Sequence, residues 1–306
     1  MPTAAASLAL GPLLDALRGV KWPTRERVRA GMPGTHRAAH RGTTGEFTEF
    51  RAYRQGDDPR RIDWRLLARS DRAYVRITDE RAWWPTWLLV DASASMAFPA
   101  EGDGAAFGRE AADAADKWRM TCAVTVGLAA VAHATGDPVG LWAATRPDAR
   151  RLVPRTRRGT VHAIATALDT IAPGGAAPLA PLLARVPPAV RVVLVTDALG
   201  DTEALLSTVA RAGAAGSDVT LVHVVHPFEL TLPRGFWRAV DPESDALQRP
   251  IHETLLAEYR TQFDGWRAEI ARRCLAAGAG YHEVRCDEPA ARAVRRITGA
   301  AVRAGT

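Results

Sequence analysis

The chain has 306 residues, 40 of them basic and 34 acidic, for a formal net charge of +6. With 47% apolar and 24% charged residues, it is not a collagen, a low-complexity tail or a disulfide scaffold. The length admits one large or two modest domains and a substantial core.

Only Lys21 and Lys117 are lysines, so 38 basic residues are arginine. The excess charge is local: residues 18–81 hold 16 basic and 9 acidic residues, whereas residues 82–306 hold 24 of each. A basic segment joined to a neutral body reads as a docking surface for an anionic partner, or as a chain whose default surface cation is arginine, the usual partner of carboxylates.

In chain order, residues 1–20 carry Leu8, Leu10, Leu13, Leu14 and Leu17 around Pro12 and Asp15. This reads as a short amphipathic helix rather than a signal peptide. Residues 21–84 form a family-specific basic segment, small and β or irregular, with strand-like pieces at 47–53 and 73–78. Residues 85–306 form a larger domain. Its first apolar run, Trp87-Leu88-Leu89-Val90, ends in Asp91 and has the pattern of a strand buried on both faces. A helix is expected over about 107–134, a strand over 139–144 and a short strand over 151–154. Helices follow over 161–171 and 179–186, then a strand over 192–195, a helix over 202–212 and a strand over 219–225. Residues 227–250 read as a long irregular connection. A helix over 251–277, a strand over 281–285 and a helix over 289–301 close the chain.

This alternation predicts an α/β fold with a doubly wound, mostly parallel, Rossmann-like sheet. Cys122, Cys274 and Cys286 form no C-x-x-C pair and read as small buried hydrophobes in a reducing compartment. The longest uncharged stretch, residues 120–136, is too short and polar for a membrane span. A cytoplasmic protein is expected.

In such a sheet, ligands sit beyond the carboxyl ends of the strands. Two strand ends carry oxygen ligands. One is Asp91-Ala92-Ser93-Ala94-Ser95, and the other is Thr196-Asp197. One carboxylate and two hydroxyls on a single turn, with a second carboxylate at another strand end, suit magnesium or manganese. Asp91, Ser93, Ser95 and Asp197 are therefore the candidate metal site. The competing reading is that Asp91 and the serines cap the following turn.

The order of these features resembles the von Willebrand factor type A domain and its metal-ion-dependent adhesion site. The resemblance implies a third loop with a threonine ligand. The corresponding segment here is Gly174-Gly175-Ala176-Ala177-Pro178-Leu179, with Ala176 where the threonine would stand.

A longer block reads Arg51-Ala52-Tyr53-Arg54-Gln55-Gly56-Asp57-Asp58-Pro59-Arg60-Arg61-Ile62-Asp63-Trp64. It resembles the hallmark of the bacterial family called domain of unknown function 58, in which it precedes a type A domain. The resemblance implies an adaptor or cofactor of MoxR-type AAA+ ATPases, encoded beside them and other type A domain proteins, in protein maturation or stress response. In the residues themselves, Asp57, Asp58 and Asp63 alternate with Arg54, Arg60 and Arg61. Tyr53 and Trp64 stand among them. The block reads as an ion-pair scaffold with packing anchors, or as a partner-docking surface.

An enzyme is not expected. Ser93 and Ser95 follow no G-x-S-x-G elbow, no H-E-x-x-H pair exists, and there is no Gly-rich P-loop with lysine. His223 and His226 read as core or loop residues. The rival reading is a nucleic-acid-binding protein using the arginine-rich N-terminal segment, although nine acidic residues lie in that same segment.

Overall fold

The computed structural model describes residues 10–22, 47–55, 59, 62–78, 84–99, 116–145, 149–231, 237–241, 244–251 and 253–300. By its internal contacts the chain divides into two units, residues 1–26 with 84–306, and residues 27–83. The N-terminal helix thus belongs to the body instead of standing as a separate element.

The body alternates strands and helices. It begins with α1 (Leu10–Ala16), β3 (Thr86–Asp91), a 3-10 turn (Ala94–Ala97), α3 (Lys117–Ala134), β4 (Val139–Ala144) and β5 (Arg150–Arg155). It continues with α4 (Thr160–Asp169), α5 (Ala180–Leu183), β6 (Arg191–Thr196), α6 (Thr202–Ala214), β7 (Asp218–Val225) and α7 (Pro227–Leu230). It ends with β8 (Trp237–Asp241), β9 (Ser244–Ile251), α8 (Glu253–Ala276), β10 (Gly280–Arg285) and α9 (Ala290–Ala300). The smaller unit holds β1 (Phe47–Ala52), α2 (Trp64–Ser70) and β2 (Tyr74–Thr78).

Six strands make one sheet in the order β10-β7-β6-β3-β4-β5. All neighbours are parallel except β5, which runs antiparallel to β4 at the edge. The expected doubly wound, mostly parallel α/β sheet is what forms. β3 and β6 are buried along their whole length. Their side chains alternate between two cores, as a period of two requires. Leu88, Val90, Val193 and Val195 join α3, α4 and α9 on one face. Trp87, Leu89, Val192 and Leu194 join α5, α6 and α8 on the other. Each fully buried aliphatic side chain in these layers contributes roughly 1.5–3 kcal/mol.

α3 is the central helix. Asp116 caps it by accepting from Arg119 N at 3.1 Å. Gly127 lets α9 and the N-terminal segment close on it, since a Cβ there would meet Val294 Cγ2 at 2.7 Å and Leu17 Cδ1 at 3.1 Å. At the far end of the sheet, Arg191 pairs with Asp137 at 3.1 Å. Arg191 also lies over the Trp22 ring at 4.4 Å, which fastens the stretch after α1. Cys122, Cys274 and Cys286 are free and buried, as expected.

Three expectations need correction. The segment expected to be irregular at 227–250 holds α7 and an antiparallel β8–β9 pair. The helix read over 179–186 is one turn, α5, with Pro181 in its first turn. The smaller unit contains a helix as well as strands. There β1 (Phe47–Ala52) pairs antiparallel with β2 (Tyr74–Thr78), and α2 (Trp64–Ser70) lies between them in sequence.

No helix among the described residues is long and apolar enough to cross a membrane.

Candidate functional site

Three loops meet at the carboxyl ends of the central strands. Ala94 N donates to Gly175 O at 2.8 Å, and Gly174 N donates to Ala92 O at 2.9 Å. These reciprocal bonds fasten the Gly174-Gly175 loop to the Asp91–Ser95 turn. Ala176 and Ala177 then line a cleft together with Asp91, Ser93 and Thr196. The cleft measures about 720 Å³, and α5 and α6 form its walls. Ala176 brings no side-chain oxygen to it.

Asp91 is 7% exposed. Its Oδ1 accepts from Ser93 N at 2.9 Å, and its Oδ2 accepts from Thr196 Oγ1 at 2.7 Å. Burial and the neighbouring charge of Asp197 push its carboxyl up to about 6. The Ser93 and Ser95 hydroxyls lie 3.0 Å apart and bond each other. Thr196 Oγ1 also accepts from Ala198 N at 2.9 Å. Ala198 has φ of 56°, a left-handed conformation that costs a non-glycine residue energy and recurs at functional sites.

Asp197 belongs to the same cluster but is engaged elsewhere. Its Oδ1 accepts from Leu199 N at 3.2 Å, and its Oδ2 accepts from Lys117 Nζ at 2.9 Å. Lys117 also donates to Glu229 Oε1 at 2.6 Å. Burial alone would pull the Lys117 ammonium down, but the charges of Asp197 and Glu229 hold it above the ordinary lysine value. Glu229 is in turn pushed up by burial, against the pull of Lys117. Its Oε2 accepts from His226 N at 2.7 Å, which completes a capping box at α7. One ammonium thus ties the start of α3 to the end of β6 and to α7.

Lys117 and Glu229 belong to no motif, and they lie 112 residues apart. The one available signal is composition. A chain that uses arginine 38 times keeps a lysine here, where a compact ammonium fits between two carboxylates and a planar guanidinium would not.

His223 and His226 are buried, at 1% exposure each. His223 Nδ1 bonds Tyr281 Oη at 2.8 Å, and burial pulls its ring down to about 4, so it is neutral at pH 7. His226 serves as the α7 cap. Both are core and loop residues, as read from the sequence.

The donor chemistry fits a magnesium or manganese ion in part. Asp91 keeps lone pairs beyond its two hydrogen bonds, and two hydroxyls stand on the same turn. Asp197 is shared with Lys117, and the third loop adds no side-chain oxygen. Among the described residues, no group of three or more His, Cys, Asp or Glu side chains gathers as a metal-binding set.

In the smaller unit, Asp63 caps α2, accepting from Arg65 N and Leu66 N, each at 3.0 Å. Trp64 is 63% exposed. It is therefore a surface residue of its unit and not the packing anchor that one reading expected. Arg54 is also exposed. Asp57, Asp58, Arg60 and Arg61 lie outside the described residues.

A family model described as "Protein of unknown function DUF58" matches residues 49–269, more than half of the chain. The chain belongs to the DUF58 family. Curated relatives include "Uncharacterized protein Rv1480" of Mycobacterium tuberculosis and "Uncharacterized protein Mb1516" of Mycobacterium bovis. Each is 28% identical over 292 residues, covering 90% of this chain and 85% of the relative. Similar solved structures include the conserved hypothetical protein BatB from Bacteroides thetaiotaomicron, at TM-score 0.44 and 15% identity over 72% of this chain and 99% of that one. Another is the SpRpn10 VWA domain, at TM-score 0.34 and 10% identity over 69% of this chain and 94% of that one. Both likenesses are distant, so the fold of this DUF58 chain rests on its own strand order.

Proposed function

We propose that this DUF58 chain is a non-enzymatic protein-binding adaptor that works with a MoxR-type AAA+ ATPase in protein maturation or stress response. The ATPase is the partner implied by the family resemblance. The observation that supports a binding site is the Asp91 carboxylate. It lines the cleft, and no cation is paired with it among the described residues, whereas Asp197 beside it has Lys117. A buried carboxylate without a cation costs stability, and a group kept at that cost inside a cleft marks a functional site.

Asp91, Ser93 and Ser95 would hold a magnesium or manganese ion, with Asp197 behind them, and the ion would offer an open position to a partner carboxylate. The Ser93 hydroxyl meets Ser95 rather than a base, which favours binding over nucleophilic chemistry. In the smaller unit, the exposed Trp64 supplies an aromatic anchor of the kind that dominates protein interfaces.

The test is capture of the ATPase by the tagged full chain, with magnesium and with chelator. Asp91→Ala and chelator should each reduce capture. Undiminished capture by an Asp91→Ala chain of unchanged stability would contradict the reading.

A further inference from the structure

We propose that the open edge of β5 is a docking strand for an acidic segment of a partner protein, which adds to the sheet as a further strand. β5 is the last strand of the sheet, and among the described residues it pairs only with β4. It carries Arg150, Arg151 and Arg155, and Arg185 lies beside it; all four are exposed.

These arginines differ from others of the body. Arg267, Arg272, Arg273, Arg285 and Arg296 are each paired with a carboxylate. Among the described residues, Arg150, Arg151, Arg155 and Arg185 have no such partner. The near-neutral sum over the body hides this: part of its arginine is neutralised locally, and among the described residues these four at the β5 edge are not.

Two of the four guanidiniums are held in place without being neutralised. Arg151 lies 4.6 Å from the Trp142 ring centroid and 5.3 Å from that of Trp87. Arg185 lies 5.5 Å from Trp142. A guanidinium held over a ring face is not neutralised by it and keeps donors available to an anion.

The register shows why a strand suits this edge. Arg150 pairs with Ala143, whose side chain lies in the α3 core, whereas Arg155 lies beyond a bulge in the β4–β5 register. Arg151 pairs with Trp142 of the opposite core. Cross-strand partners share a face, so the edge presents guanidinium to both faces of the sheet. An added strand sends alternate side chains to both faces and pairs with the backbone edge on the Arg150–Val153 side of Pro154, which has no N–H to donate. A nucleic-acid backbone would engage one face. A second copy of β5 would set arginine against arginine, which disfavours self-pairing.

The test uses the full chain and a fluorescent ten-residue peptide rich in glutamate, read by anisotropy at about 0.15 M salt. The peptide should bind. Its glutamine counterpart, and the Arg151→Glu/Arg155→Glu chain, should each lower affinity about tenfold or more. N-methylation of alternate peptide amides should abolish binding, because it removes strand pairing and keeps the charge. Absence of binding by the parent peptide, or equal binding of the N-methylated form, would overturn the proposal. So would tighter binding of a single-stranded DNA that is weakened by the same substitutions, which would assign the edge to nucleic acid.

Discussion

Asp91 and Lys117 solve the same burial problem in opposite ways. Asp91 has its carboxyl raised from 3.8 to about 6. The folded chain therefore binds that proton more tightly than the unfolded chain. Stability falls as pH rises from about 4 to about 6, and the ionised group costs on the order of 1–3 kcal/mol at pH 7. Asp91→Asn in chelator should thus raise the denaturation midpoint at pH 7, with the gain vanishing near pH 4. His223 acts with the opposite sign. Its ring, lowered from 6.5 to about 4, contributes stability above pH 6.5 that is lost as pH falls toward 4. Asp91→Asn should therefore leave a chain that loses stability in acid more steeply than the natural one. Lys117→Met strands Asp197 and Glu229 without their cation, and should cost about 3–5 kcal/mol in urea denaturation. Lys117→Arg should also lower stability, because the site holds a compact ammonium at 1% exposure. The motif half of this cluster was legible, since Asp91, Ser93, Ser95 and Asp197 follow buried apolar runs. Lys117 and Glu229 were not, because only tertiary folding brings them together across 112 residues.

Among the elements, α3 shows how little tolerance the central layer has. Gly127→Ala adds a methyl 2.7 Å from Val294 Cγ2. Overpacking of about 1–3 kcal/mol opposes a propensity gain of about 1 kcal/mol. The expected result is a net loss, read as a lower urea midpoint with an unchanged slope. The four-residue run before Asp91 and the run before Thr196 announced β3 and β6, because a strand covered on both faces has no polar positions to blur it. The shorter pieces carried weaker signals. α2 has only seven residues, two turns that show a cap but no periodicity. The β8–β9 pair lies in a stretch punctuated by Pro233, Pro242 and Pro250, residues that argue against strand pairing.

At the scale of the whole molecule, the excess charge resolves into distinct places. The basic segment at 18–81 falls largely in the smaller unit, whose Trp64 is exposed. The body is close to neutral in sum, at +1, yet the β5 edge is positive and the Asp91 cleft negative. The family was legible from the Arg51–Trp64 block, because a long block of specific residues is harder to produce by chance than an apolar pattern. The polarity of the body was hidden, because charges cancel in a count and separate only in space.

The proposed function rests on a divalent cation entering the Asp91 cleft. Manganese binding, followed by electron paramagnetic resonance on the full chain and on Asp91→Ala, tests it most directly. The natural chain should bind manganese saturably, and Asp91→Ala should abolish that binding while the fold persists. No binding, or binding that Asp91→Ala leaves unchanged, would contradict it.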